Sequence, residues 1–358
     1  VVLNLSVFIK RPSTPFSIGV TKQAINKKLL RSAAFLSFPT RRFGKQQYYI
    51  LHYTTFSLEL TTVSMQKINF FAAALNFTMP RLDFTRYTLY NYLENTKGRK
   101  KLMYANYHTH TVRCHHAVGT EREYIENAIS AGIKILGFSD HCPQFFDNGY
   151  VSGMRMLPQE AEGYIKCIRR LGEEYKNDIK IYAGFEAEYF RDNFERFKQL
   201  CIDIGADYLI LGQHFLGRED GGVYPGVPQS NSKLLAEYAD TVLEAISTGC
   251  FSYIAHPDLF LFTGSDDIYE TQMTRLCRGA KALGIPLEVN MLGLFDHRHY
   301  PSERFFSIAA AEGCDTVIGC DAHNPQSLSD TSAQNAALEF ARSFGLTPLK
   351  EISLKKIK

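Results

Sequence analysis

From Met103 onward the chain repeats one arrangement seven times: a short apolar run, then a longer amphipathic stretch. The apolar runs lie at 104–108, 134–139, 180–185, 208–212, 253–256, 287–290 and 316–320. Helical patterns lie near 121–131, 158–175, 192–204, 232–248, 269–283 and 303–311, with a last one at 332–344. Short apolar runs alternating with helical periods predict βα units and a parallel sheet. Gly132, Gly205, Gly249, Gly284 and Gly313 are placed to end the helix before a run. Seven such units in about 250 residues are most economically a closed barrel. An open doubly wound sheet is the other candidate, but no glycine-rich phosphate loop follows the first run.

Most runs end on residues that bind metals. His108 and His110, with His116 close behind, leave the first run; the others close on Asp140-His141, Glu186, His214, His256 and Asp321-x-His323. Neutral imidazoles and carboxylates suit zinc, iron or manganese. Leaving Asp140 aside, nine such residues exceed the roughly four to six donors that one ion takes, so several ions are expected. In a barrel, residues just past the C-terminal strand ends converge on one face. Closure would also place the Asp321-x-His323 pair beside the His108-x-His110 pair, whereas an open sheet would hold them apart.

Glu186 ends an apolar strand and is costly to bury unless it is paired or metal-bound. It is the expected bridge between two cations and is preferred to Glu188, which lies farther from the strand end. Asp140 is a candidate orienter of a neighbouring imidazole. His115 and His116 compete for one position on spacing alone. His297 and His299 fall in a loop after the sixth run, as substrate contacts or plain surface.

The net charge of +3 hides a division of the chain. Residues 1–102 hold 16 basic residues against Glu59, Asp83 and Glu94, whereas residues 103–358 carry an acidic excess. Residues 1–102 show no sustained period, so no fold is assigned to them. They read as non-native coding sequence ahead of Met103, as a basic arm, or as an organellar transit segment, the first being preferred. The apolar stretch 68–77 is too short to span a bilayer. All eight cysteines lie in 103–358 and none form CxxC pairs, which suits free thiols in a reducing cytoplasm.

The run HTHTVRCHH (108–116), together with SDH (139–141), GFEAEY (184–189), GQHFL (212–216), AHPDL (255–259) and GCDAH (319–323), resembles the polymerase-and-histidinol-phosphatase (PHP) family. The chain is most similar to its monofunctional histidinol-phosphatases. The resemblance spans residues 103–358 and none of 1–102. It implies a distorted (β/α)7 TIM-like barrel with three divalent ions (Zn, Fe or Mn) at the C-terminal ends of the strands. By position, one ion would be held by His108, His110, Glu186 and Asp321. A second would share Glu186 and add His214 and His256, and a third would take His116, His141 and His323. Family spacing selects His116 over His115, although relatives often have Pro and Gly where this chain has His115 and Ala117.

The expected activity is hydrolysis of L-histidinol phosphate to L-histidinol and phosphate in histidine biosynthesis, with metal-bound hydroxide as nucleophile. Glu186, Asp321 and His323 are the expected catalytic residues, while Arg155, Arg298 and Asn290 are expected to contact the substrate. The general acid is not legible. Three other readings compete with that activity. The runner-up is a phosphoesterase acting on a nucleotide, nucleic acid or sugar phosphate, and the acidic balance of 103–358 disfavours a polyanionic partner. An amidohydrolase typically carries a bridging lysine, where this chain has Glu186. A metal-storing barrel that has lost catalysis fits poorly with an intact ligand set. A small phosphorylated substrate is therefore expected, with no nucleic acid or membrane partner.

Overall fold

The computed structural model describes residues 103–358 throughout. Of the preceding residues it describes only three short strands, Phe8–Ile9, Thr40–Phe43 and Gln46–Ile50, paired antiparallel. The rest of the basic leader lies outside the described residues. The chain divides into two compact units between Glu94 and Asn95.

In the second unit seven strands form one parallel sheet in sequence order: β1 (Ala105–Asn106), β2 (Ile135–His141), β3 (Lys180–Ala187), β4 (Tyr208–Leu211), β5 (Phe251–Ile254), β6 (Leu287–Asn290) and β7 (Thr316–Gly319). Helices fall between them: α1 (Glu121–Ala131), α2 (Ala161–Glu174), α3 (Arg191–Ile204), α4 (Ser232–Ser247), α5 (Asp266–Ala282), the short α6 (Met291–Phe295), α7 (Glu303–Ala311) and α8 (Thr331–Ser343). α6 was not anticipated; Asn290 caps it through Gly293 N–H. Thr120 and Glu123 form a reciprocal capping box at α1, and Gly132 ends that helix with φ of 82°.

The sheet closes at its C-terminal end. Thr109 and Ala322 form a parallel bridge, His110 N–H donates to Ala322 O (3.0 Å), and Ala322 N–H donates to His108 O (3.2 Å). Thr109 O also accepts from Ser139 N–H (2.8 Å), so one residue ties the first strand to both neighbours. β1 pairs with β2 over two residues only, because the chain then turns toward β7. The result is the expected TIM-like barrel of seven strands.

Side-chain alternation divides the core. Leu209 and Leu211 join the large apolar layer under the helices, while Tyr208 and Ile210 join a smaller cluster with Ala105, Tyr107, Ile135, Tyr253, Ala255 and Val317 inside the barrel. Tyr208 fills the lower barrel: its hydroxyl donates to Tyr107 O (2.8 Å), and its ring lies where a Cβ on Gly137 or Gly184 would stand. A packed floor leaves only the C-terminal end for a site. All eight cysteines are free, and no helix among the described residues is long and apolar enough to cross a membrane.

Candidate metal centre

In β2 and β3 the inward parity continues into the last residues, whereas His108, His110 and His256 fall out of step with the inward Ala105, Tyr107, Tyr253 and Ala255. Strand β3 presents Tyr182, Gly184 and then Glu186 to the interior, and β2 presents Ser139 and then His141. Glu186 reaches across the next strand at Gly212, where a Cβ would overlap its carboxylate. Glu288 on β6 lies in the same way across Gly319 of β7. Two glycines therefore make room for two buried carboxylates.

Glu186 stands at the middle of the nine expected ligands. Its Oε1 lies 2.6 Å from His256 Nε2, 3.3 Å from His214 Nε2 and 3.5 Å from His108 Nε2. Its Oε2 lies 3.0 Å from His141 Nδ1 and 3.5 Å from His110 Nε2. Asp321 Oδ1 is 3.1 Å from His110 Nε2, 3.5 Å from His108 Nε2 and 3.4 Å from His323 Nδ1. His116 Nε2 and His323 Nε2 are 3.0 Å apart. Ligand atoms of His116, His141 and His323 lie within 4.8 Å of one another, as do those of His108, His110 and Glu186. Overlapping sets join His141 to Glu186 and His214, and His256 to His108 and Asp321, so the cluster is continuous. His115 belongs to none of these sets and has a left-handed backbone with φ of 65°.

These residues fit divalent metal. Eight buried side-chain nitrogen and oxygen atoms among the described residues have no hydrogen-bond partner, and six of them belong to His108, His110, His141, Glu186 and His256. An unsatisfied buried polar atom costs on the order of 1–3 kcal/mol, so such a cluster calls for a cation. His256 and Asp321 also adopt left-handed backbone, with φ of 28° and 48°, and strain of this kind gathers at functional sites.

Three further carboxylates stand behind the histidines. His108 Nδ1 is 2.8 Å from Glu288 Oε1, His214 Nδ1 is 3.3 Å from Glu188 Oε1, and His110 Nδ1 is 3.5 Å from Asp140 Oδ1. Such partners orient an imidazole and fix which nitrogen faces the metal. Asp140 accepts from Thr111 N–H (3.1 Å) and His141 N–H (2.9 Å), in keeping with the orienting role expected of it. Glu288 was missed in the sequence, where it sits mid-strand rather than at an end. The available signal was a lone carboxylate at the inward parity of an apolar run.

The electrostatics follow from this crowding. Burial alone would raise the Glu186 carboxyl, but His214, His108 and His141 hold it well below the ordinary range. Asp321 is held down in the same way, with His108 the leading opposing cause. Burial would lower His108, yet Glu288, Asp321 and Glu186 push it up to about 10. A site this rich in anions attracts cations.

The three expected substrate contacts fare differently. Arg155 is 1% exposed, and its guanidinium is occupied by Glu188 Oε1 and Oε2 (both 2.8 Å), Glu219 Oε2 (2.7 Å) and Cys142 O (3.0 Å). It neutralises the carboxylate that orients His214 and presents no free face to phosphate, which corrects the expectation. Asn290 is fully buried; its Nδ2 donates to Glu288 Oε2 (2.8 Å) and Asp321 Oδ2 (3.1 Å), so it positions ligands rather than meeting substrate. Arg298 remains half-exposed, donating to Tyr300 Oη (2.7 Å) and Asp296 Oδ2 (3.0 Å). His299 Nε2 lies 2.7 Å from Leu259 O and serves the loop, not the centre.

A seven-stranded barrel with nine imidazole and carboxylate donors at its C-terminal mouth defines a metal-dependent barrel protein. The chain belongs to the PHP domain family, whose sequence profile matches residues 106–291. It is similar to a probable histidinol-phosphatase of Deinococcus radiodurans, 29% identical over 239 residues that span 61% of this chain and 85% of the relative. It is also similar to a probable phosphatase of Shewanella sediminis, 26% identical over 240 residues, spanning 65% and 84%. Its fold matches the crystal structure of a histidinol phosphate phosphatase from Lactococcus lactis complexed with zinc, L-histidinol and phosphate, with a TM-score of 0.54 and 19% identity over 70% of this chain and 98% of that one. The protein is a metal-dependent phosphatase of the PHP family.

Proposed function

We propose that the protein hydrolyses L-histidinol phosphate to L-histidinol and phosphate, using up to three divalent ions held by the nine strand-end residues. The observation that carries the metal-dependent reading is the cluster of partnerless buried atoms around Glu186. The choice of ester leans on the relatives, several of which are named histidinol-phosphatases.

Glu186, His108, His110 and Asp321 would hold one ion, Glu186 with His214 and His256 a second, and His116, His141 and His323 a third. Bound there, divalent ions lower the pKa of water toward neutrality and offset charge building on the phosphoryl oxygens. The imidazole and carboxylate donors admit zinc, iron or manganese, and zinc in the Lactococcus lactis relative makes it the first to test. His116 and His323 lie on the more open side and would meet the incoming phosphate. Arg298, the half-exposed cation of the α6–α7 loop, would bind the phosphate dianion. Free, mostly buried thiols accord with a reducing cytoplasm as the working compartment.

The test is phosphate release by the metal-loaded protein from histidinol phosphate, common sugar phosphates and a dinucleotide. Preference for histidinol phosphate is expected. A clear preference for a sugar phosphate or dinucleotide would overturn the choice of ester.

A further inference from the structure

Expelling an alcohol from phosphate requires a proton on the departing oxygen. The α6–α7 loop supplies a candidate group. Tyr300 is 4% exposed, and its ring centre lies 5.6 Å from that of His256. Its hydroxyl accepts from Arg298 Nη1 at 2.7 Å, while its own proton is given to no acceptor among the described residues.

The loop is fixed on both sides to ligand-bearing segments. Gly293 fits against Tyr300, since a Cβ there would overlap the tyrosine carbonyl. Gly293 N–H donates to Asn290 Oδ1 (2.8 Å), Arg298 N–H donates to Gly293 O (2.9 Å), and the same Asn290 donates to Asp321. On the other side, Ser302 N–H donates to Asp258 Oδ2 (2.6 Å), and His299 bonds to Leu259 O. Asp258 and Leu259 lie two and three residues after His256 in the chain. Tyr300 is thus held in register with both Asp321 and His256.

We infer that Tyr300 is the general acid of the reaction and that Arg298 stabilises the phenolate it becomes. This rests on the phosphomonoesterase reading above, though not on histidinol phosphate in particular. As the bond from phosphorus to the leaving oxygen breaks, its electron pair stays on that oxygen, which takes the phenol proton. Water delivers its oxygen to phosphorus, and a proton released from that water restores the phenol. No oxidant or further reactant is needed.

The test is the variant Y300F, metal-loaded, assayed on histidinol phosphate and on p-nitrophenyl phosphate, whose leaving group departs as a stable anion. General acid catalysis is worth roughly 10²–10⁴-fold, so kcat on histidinol phosphate should fall by about 10²-fold or more while p-nitrophenyl phosphate changes by less than about threefold. Metal content by mass spectrometry should match wild type. An equal fall on both esters would overturn the proposal, as would no fall on either. Should wild type prefer another alkyl ester, the histidinol reading fails and the comparison is made with that ester. Should wild type cleave no alkyl monoester, both readings fail.

Discussion

His108 and Glu288 face each other across the barrel interior at 2.8 Å, Nδ1 to Oε1, with both side chains fully buried. Glu288 also accepts from His256 N–H (3.0 Å), Asn290 Nδ2 (2.8 Å) and Tyr253 Oη (3.3 Å). One carboxylate thus fixes two ligand positions and holds His108 with Nε2 turned to the cluster. Changing such a partner typically costs 10–100-fold in metal affinity, so E288Q should weaken binding by about that factor. Competition against a chromophoric chelator measures it, and excess metal should restore activity.

His116 and His115 separate cleanly by variant. H116A should lose about one equivalent of metal relative to wild type, whereas H115A should keep the full complement, since only His116 meets His141 and His323. Elemental analysis of dialysed protein decides between them.

Gly212 carries the space that Glu186 occupies. G212A should displace the bridging carboxylate and overpack the interior, destabilising the fold by roughly 1–3 kcal/mol. Metal content should drop along with the thermal midpoint. An alanine tolerated with full metal content would mean that Glu186 has another place to go.

Arg155 is a stability residue in this geometry. Removing one member of a buried ion pair costs about 3–5 kcal/mol, so R155M should be destabilised on that scale instead of merely raising KM. The pH dependence carries a sign. Arg155 and His214 outweigh burial and hold Glu188 below its ordinary value, so this pair stabilises above the unfolded carboxyl pKa of about 4.3 and its contribution is lost as pH falls below it. In R155M the buried, less paired Glu188 should bind a proton more readily folded than unfolded. Its contribution should then grow as pH falls toward that value. Chemical denaturation of both proteins between pH 4 and 8 shows whether the difference in slope has this sign.

Metal removal should destabilise the fold and take up protons. Burial would lower His108, but Glu288, Asp321 and Glu186 push it up to about 10, so it should carry a proton in the metal-free protein at neutral pH and release it on binding metal. Affinity should therefore rise between pH 6 and 8. Calorimetric titration with zinc in two buffers of different ionisation enthalpy should report proton release.

Much of the centre was legible because strand-end chemistry is local. His108, His110, His141, Glu186, His214, His256, Asp321 and His323 each follow an apolar run, and parallel topology alone sends such residues to one face. The seven strands could be read from the same runs, although β1 shortened to two ladder residues when the chain turned toward β7. α6 escaped notice because five residues carry too little periodicity.

What the sequence determined, then, is the kind of donor at each strand end and, through the repeated βα pattern, the barrel that gathers them. The tertiary structure decided which charged groups those donors lean on. Glu288 and Asn290 lie inside an apolar strand, and Arg155 lies in a loop. Whether each meets substrate, solvent or a buried partner depends on which side chains stand across the barrel. A buried charge is tolerable only beside its counterpart, and the partners here are distant in sequence: Arg155 found Glu188 and Glu219, and Glu288 found His108 180 residues away.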